Sequence, residues 1–530
     1  MKLEKKSLRD AEEWKKAGYE LPEYDLEIIQ ANTKKNPIWI HFGAGNIFRA
    51  FMAVAQQKLL NEKIADTGII VCEGYDSEII EKVYRNYENL TIAVSMKQNG
   101  SMDKMVVGSV AESLLLKPET SDWLRLKEIF ENPALQMATF TITEKGYQIK
   151  NASGYLPQIK EDMQVGPEQA KSYMGCLTAL CYLRYLAGKL PLALVSMDNF
   201  SHNGDRLKMA VLTIAEVWEK NNLVEEGFSG YLQDETKISF PWSMIDKITP
   251  RPDSKIKEML ERTGLEGMDI FTTSANTYIA PFVNAEETEY LVIENNFPNG
   301  RPKLEHAGIL FADRRTVECV EQMKVCTCLN PLHTGLAIFG CLLSYTSISK
   351  EMEDPLLREL AVQIGQEGMP VVVHPGILEP KQFLHEVLYV RLPNPYIPDT
   401  PQRIATDTSQ KLSIRYGETI KAYQKTGKSL EQLRAIPLVI AGWIRYLTGV
   451  DDFGNAMELS PDPRMTELRE KISDIAEKPE MVAGSILADA SVFGQDLSKT
   501  ELAEPVIGFL KEMLTGPHAV QKTLEKYLGQ

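Results

Sequence analysis

Residues 37–50 read Pro37-Ile38-Trp39-Ile40-His41-Phe42-Gly43-Ala44-Gly45-Asn46-Ile47-Phe48-Arg49-Ala50. The first six carry no acidic or strongly basic side chain and are rich in aromatic and β-branched residues, the composition of a short buried strand. Gly43-x-Gly45 follows at once, and apolar residues then recur at helical spacing: Ile47, Phe51, Val54, Ala55 and Leu59. A strand that turns through glycines into a helix lets the backbone approach a pyrophosphate, with the helix N-terminus facing the negative charge. The third glycine of the G-x-G-x-x-G fingerprint would fall at position 48, where Phe48 stands, so the turn alone is equally an ordinary tight connection. Arg49 falls in the first helical turn, within reach of a phosphate.

Outward from that turn, the apolar run 68–72 ends at Glu73, with Asp76 close behind. An acidic residue at the end of the second strand accepts hydrogen bonds from ribose hydroxyls in dinucleotide sites. Residues 77–81 offer no Arg or Lys for a 2′-phosphate, which favours NAD over NADP. Further β-like runs cover 105–110, 137–143 and 193–197, and helical stretches cover 168–186 and 205–221. Strands alternating with helices specify a parallel sheet covered on both faces. Residues 1–36 are polar and read as a helical extension. Residues 295–302 (NNFPNGRP) have the texture of a linker, and beyond them the period is mostly 3.6. Helices are expected over 307–325, 331–346, 354–367, 380–391, 401–426, 429–448 and 500–527. The expected architecture is α/β: a Rossmann-type dinucleotide-binding domain over 1–300 and a mostly α-helical substrate and catalytic domain over 301–530.

Composition narrows the function. The 530 residues are 44% hydrophobic and 25% charged, which excludes a largely disordered chain. A net charge of −15 repels phosphate backbones, so no nucleic-acid partner is expected. The first residues alternate charges of both signs, unlike a secretory signal. The longest stretch without Lys, Arg, Asp or Glu, 325–349, contains Asn330, Pro331 and His333 and reads as a buried segment beside a polar site, not as a membrane span. Seven Cys without a C-x-x-C pair fit reduced thiols in the cytoplasm, and Cys326-x-Cys328 with one nearby His makes no convincing metal site.

Polar groups collect at several junctions. Thr141-Ile142-Thr143-Glu144-Lys145-Gly146-Tyr147 runs from a strand into a glycine turn, and Ser196-Met197-Asp198-Asn199 precedes Asn203-Gly204. Such groups bind a polyhydroxylated ligand or a ribose, and they equally cap turns. The segment Lys324-Val325-Cys326-Thr327-Cys328-Leu329-Asn330-Pro331-Leu332-His333 concentrates the most chemistry. Pro331 suits the first position of a helix, which makes Asn330 its N-cap and puts His333 one turn on. Lys324 lies at the edge of an uncharged stretch, where an ammonium is disfavoured and a neutral amine suits general-base work. Arg403 and Lys411, eight residues apart, share nearly one face of the expected helix and suit a substrate carboxylate or hydroxyls.

Taken together and in this order, these motifs resemble the mannitol dehydrogenase family of long-chain, polyol-specific dehydrogenases, from about residue 36 to residue 450. Phe240-Pro241-Trp242-Ser243-Met244-Ile245-Asp246-Lys247-Ile248-Thr249-Pro250 belongs to the same resemblance. Within the family the chain looks most like the branch that interconverts D-mannonate and D-fructuronate with NAD and no metal. The resemblance implies cofactor contacts at Gly43, Ala44, Gly45, Asn46, Ile47, Arg49, Glu73, Asp76, Thr143 and Glu144. It implies Lys324 as general acid/base and Asn330 and His333 as an oxyanion hole, with hydride passing between C2 and the nicotinamide C4. Asn199, Asp246, Arg403 and Lys411 would hold the rest of the substrate, a sugar acid or polyol. Family members of this kind are monomers or weak homo-oligomers. The rivals are a mannitol or other polyol 2-dehydrogenase, a tagaturonate reductase, and a catalytically silent nucleotide-binding protein. The family places its lysine five residues before the asparagine, whereas Lys324 precedes Asn330 by six.

Overall fold

Alternating side chains of the strand Trp39–Phe42 enter two different cores. Ile40 and Phe42 pack with Trp123, Phe130 and Leu177, whereas Trp39 packs with Phe51, Leu59 and Val83. A strand buried on both faces is what a sheet covered by helices on both sides requires. The computed structural model describes residues 1–529 and divides into two compact units, Met1–Val317 and Glu318–Gln530.

The first unit is built on six strands: β1 Trp39–Phe42, β2 Ile69–Glu73, β3 Val110–Leu115, β4 Met137–Phe140, β5 Leu192–Ser196 and β6 Ile238–Ser239. They lie in the order β3-β2-β1-β4-β5-β6, and every neighbouring pair is parallel. This is the doubly wound Rossmann order, and its topological switch falls between β1 and β4. The third glycine of the fingerprint is absent because rings fill the space between helix and strand. Phe48 stacks on His41 with ring centroids 4.3 Å apart, and the chain passes through a π turn at Phe48–Met52.

Two expectations are corrected in this unit. The run 105–110 is not one strand. Met102–Val107 pairs antiparallel with Thr91–Met96 in a four-stranded sheet, and Val110 then enters the Rossmann sheet as β3. The break falls at Gly108-Ser109, where Gln57 accepts from the Gly108 amide and Ser109 Oγ donates to the Ala53 carbonyl. Residues 1–36 are only partly helical. Tyr19–Glu20 adds a short parallel strand to the second sheet ahead of the helix Leu26–Lys35. A third sheet joins Ser243–Asp246, Tyr290–Glu294 and Leu310–Ala312.

The second unit is helical, with Asn330–Leu342, Pro355–Gly368, Ala435–Tyr446, Ala503–Met513 and Ala519–Leu528 among its elements. The helix Arg314–Leu342 is long and apolar enough to cross a membrane, yet most of its apolar length is buried inside the protein, as in a core helix. Distant carboxylates cap several helices. Glu367 accepts from the amides of Arg434, Ala435 and Ile436, and Asp452 accepts from those of Val520 and Gln521. The expected helix 500–527 breaks at Gly516-Pro517. The expected helix 401–426 is split as well, because Asp407 adopts a left-handed conformation, φ +56°, and donates its amide to the Pro461 carbonyl.

Candidate active site

The switch between β1 and β4 opens into a cavity of about 580 Å³. Its wall includes Gly43, Gly45, Glu73, Asp76, Thr141, Thr143 and Tyr173. Gly43 has φ +106°, and a Cβ there would lie 2.2 Å from the Thr141 carbonyl oxygen, so only glycine lets the two strand ends approach this closely. Gly45 faces open space, which leaves its backbone accessible. The turn between them is fixed before any ligand arrives. The Ala44 amide donates to Glu73 Oε2 at 2.8 Å, and Tyr84 donates its hydroxyl to the Ala44 carbonyl.

Glu73 Oε1 accepts the amides of Tyr75 and Asp76, and Asp76 accepts the Thr273 hydroxyl at 2.6 Å and the Glu78 amide. A carboxylate has about four lone-pair positions, so both groups retain acceptor capacity toward a diol. The Tyr173 hydroxyl is buried on this wall with no hydrogen-bond partner among the described residues. An open glycine backbone, two acids at the second strand end and an orphaned hydroxyl fit a dinucleotide.

Not every expected cofactor residue faces the cavity. Arg49 turns inward, fully buried, and donates to the Ala280 carbonyl at 2.7 Å, to Thr91 and to Asn46. Its bonding is internal and ties the turn to the second sheet. Asn46 is engaged by Arg49 and the Pro250 carbonyl, and Ile47 packs on the core. Glu144 is exposed and lies 3.5 Å from Arg206.

Asp198 organises the loop after β4. It accepts the amides of Ile142 and Thr143, each at 2.9 Å, and the Tyr147 hydroxyl at 2.6 Å. Burial raises its carboxyl above the usual range, while these three donors pull it back. Thr143 is thereby held at φ +62°. Buried Asn203 bonds both Nδ2 and Oδ1 to Ser243 and so anchors the strand Ser243–Asp246, at whose end Asp246 lies buried. Asn199 is exposed in the turn after β5.

In the second unit Lys324–Cys328 forms a π turn, closed by the Leu329 amide donating to the Lys324 carbonyl at 3.1 Å. The following helix begins at Asn330, with Leu329 as its N-cap, so Asn330 is not the cap expected from sequence. A π turn takes in one additional residue without adding a helical step. Six residues across it therefore rotate about as far as five in a plain α-helix, roughly 500°. Lys324 is buried, and Asn330 and His333 are half-buried near the start of the helix. Cys326 and Cys328 remain thiols, their ionisation pushed up to about 12 by burial.

Three side chains from one later segment hold this stretch. Arg415 Nη1 donates to Thr334 Oγ1 at 2.5 Å, Tyr416 donates to the Pro331 carbonyl at 2.6 Å, and Thr419 donates to the Cys326 carbonyl at 3.1 Å. Sequence reading missed all three. Only the four-residue step from Lys411 to Arg415 hinted at them.

Arg403 and Lys411 do not share a helix. Arg403 sits in Pro401–Ile404 and Lys411 in Thr408–Leu412, on either side of Asp407. Arg403 is largely exposed and paired with Asp399, whereas Lys411 donates to the carbonyls of Ile404 and Thr406. Residues 451–499 buttress this region: Asp462 holds Ser409, and Gly417 lies against the Phe493 carbonyl.

Comparison with known proteins matches the mannitol dehydrogenase Rossmann domain to residues 37–306 and the mannitol dehydrogenase C-terminal domain to residues 316–514. The chain is 53% identical to a D-mannonate oxidoreductase of Thermotoga maritima, over 100% of this chain and 99% of the relative. It is 29% identical to the D-mannonate oxidoreductase of Escherichia coli, over 86% and 89%. Among solved structures, Pseudomonas fluorescens mannitol 2-dehydrogenase in ternary complex with NAD and D-mannitol aligns over all of both chains, with a TM-score of 0.70 and 25% identity. The two domain signatures, the Rossmann strand order and the full-length relatives bear out the resemblance carried by the motifs: the chain belongs to the mannitol dehydrogenase family.

Proposed function

We propose that this chain is an NAD-dependent, metal-independent oxidoreductase that interconverts D-mannonate and D-fructuronate in hexuronate catabolism. The observation that carries the reading is the full-length 53% identity to the Thermotoga maritima D-mannonate oxidoreductase. The π turn at Lys324–Cys328 supports the site assignment, because it returns the six-residue Lys324–Asn330 spacing to the rotation of a five-residue one.

NAD, when bound, would supply the hydride chemistry at the carbon numbered C2 in fructuronate and C5 in mannonate. Gly43, Ala44 and Gly45 shape the turn for its pyrophosphate, and Glu73 and Asp76 accept from its ribose. Lys324 takes the proton of the hydroxyl on the reacting carbon as the ketone forms and returns it in reduction. Asn330 and His333 donate to the oxygen on that carbon and stabilise the charge that develops there. Asn199, Asp246, Arg403 and Lys411 hold the remaining hydroxyls of the substrate. The enzyme works in the cytoplasm as a monomer or weak homo-oligomer.

NADH oxidation with D-fructuronate, D-tagaturonate and D-fructose, with and without EDTA, tests the reading. Fast turnover of fructuronate alone, indifferent to EDTA, is the expected result. Turnover of fructose instead moves the chain to the polyol branch. NADH binding with no turnover of any of the three supports a catalytically silent protein.

A further inference from the structure

The expected carboxylate ligand, Arg403, is already neutralised by Asp399 and is largely exposed. Arg415 is in the opposite state. Its one hydrogen bond among the described residues runs to the neutral hydroxyl of Thr334, and no carboxylate lies within ion-pairing distance. Its remaining guanidinium N–H groups make no hydrogen bond among the described residues. Burial depresses its ionisation to about 10. Burial likewise lowers Lys411, with Arg415 second among the causes.

Position adds to charge. Thr334 follows His333 directly, and its hydroxyl donates to the Asn330 carbonyl at 2.9 Å, so it stands one helical turn after Asn330. Arg415 therefore reaches the first turn of the helix that carries both expected oxyanion residues. Lys411 stands four residues before Arg415 on the same segment. A half-buried guanidinium with free N–H groups and no counter-charge is costly unless a ligand supplies the anion, and its planar fork matches a carboxylate.

We infer that Arg415 is the residue that binds the substrate carboxylate and so selects uronates over neutral ketoses. The inference rests on the reading of the chain as a fructuronate reductase. The Thr334 hydroxyl fixes one edge of the guanidinium, and the free edge receives the carboxylate at the end of the sugar remote from the ketone. Lys411 lies beside it and adds positive potential.

The test is steady-state NADH oxidation by the full chain as wild type, Arg415→Met and Arg415→Lys, with D-fructuronate and with D-fructose, which lacks the carboxylate. Fructose serves as a competing ligand where its turnover is too slow to follow. Arg415→Met is expected to raise KM for fructuronate about thirtyfold or more, with little change in kcat, and to move the constant for fructose by much less. Arg415→Lys should fall between, because it keeps the charge and loses the fork. Equal losses in kcat on both sugars would make Arg415 a support of the Asn330 turn and overturn the inference, as would an unchanged KM for fructuronate. Should Arg415→Met not fold, Arg415→Lys and Arg415→Gln carry the same comparison. A wild-type enzyme inactive on fructuronate defeats the functional reading itself. An active wild type with an indifferent Arg415→Met defeats only the role of Arg415.

Discussion

The strand ends of the first unit and the segment Thr408–Gly417 of the second handle charge in opposite ways. Glu73, Asp76 and Asp198 each accept two or more protein donors, most of them backbone amides. Lys411 and Arg415, by contrast, donate only to carbonyls and a hydroxyl, with no carboxylate bonded to either among the described residues. The first region is a shape completed in advance, where the acids fix the turns that a cofactor backbone would meet. The second is an electrostatic demand left open for an anion. A preformed shape tolerates loss of one bond poorly but uniformly. An open demand is selective, because only a ligand of the right charge meets it.

Four experiments sharpen or break this contrast. The largest effect is expected at Lys324, which the proposal makes a proton carrier and not a structural group. Lys324→Ala should lower kcat about a thousandfold while NADH still binds, as read by nucleotide fluorescence. Near-wild-type turnover would remove Lys324 from the mechanism. Gly43→Ala probes the completed shape. With φ +106° and a carbonyl 2.2 Å from the new Cβ, it should weaken NADH binding and destabilise the first unit by about 2 kcal/mol. Unaltered NADH affinity would show that the turn is not the pyrophosphate site.

Tyr416→Phe removes the bond to the Pro331 carbonyl that helps seat Asn330 and His333. A loss of about 1–2 kcal/mol in stability is expected, with a modest drop in kcat and KM little changed. A rise in KM alone would instead place Tyr416 against the substrate.

The smallest effects separate the units by pH. His41 lies in β1 between the hydroxyls of Thr139 and Thr141, and burial lowers its ionisation to about 3 from 6.5. Between those values the unfolded imidazole binds a proton that the folded one refuses. Stability therefore rises with pH across that window, by up to about 1.4 kcal/mol per unit. Glu351 in the second unit has the reverse sign. Burial raises its carboxyl well above 4.5, and neither oxygen has a hydrogen-bond partner among the described residues. Above 4.5 the unfolded carboxyl ionises while the folded one stays protonated, so stability falls as pH rises. Thermal midpoints from pH 5 to 8 should show His41→Gln flattening the acid side and the advantage of Glu351→Gln growing with pH. A Glu351→Gln effect independent of pH would show that the folded carboxyl is ionised.

Much of the first region was legible because its signals are local. β1, β2, β4 and β5 read as apolar runs of five to seven residues, and Gly43-x-Gly45 follows β1 directly. The run 105–110 misled because a continuous apolar stretch cannot reveal that the chain changes sheets at Gly108. The internal bonding of Arg49 was hidden for a similar reason. Its place in the first turn suggested a phosphate, but the Ala280 carbonyl, 231 residues away in sequence, captured it. In the second region, the helical period over 401–426 concealed the break at Asp407, which depends on the Pro461 carbonyl.

By itself, then, the sequence determined the alternation of strand and helix, the glycine turn, the acidic end of β2 and the change to a helical texture, because period and turn chemistry act over a few residues. Only the tertiary structure decided which polar groups were already satisfied. The Arg415 contact with Thr334 spans 81 residues and the Glu367 cap on Ala435 spans 68. Whether a charge is neutralised or left for a ligand depends on what folding brings within about 3 Å of it, and no local pattern carries that information.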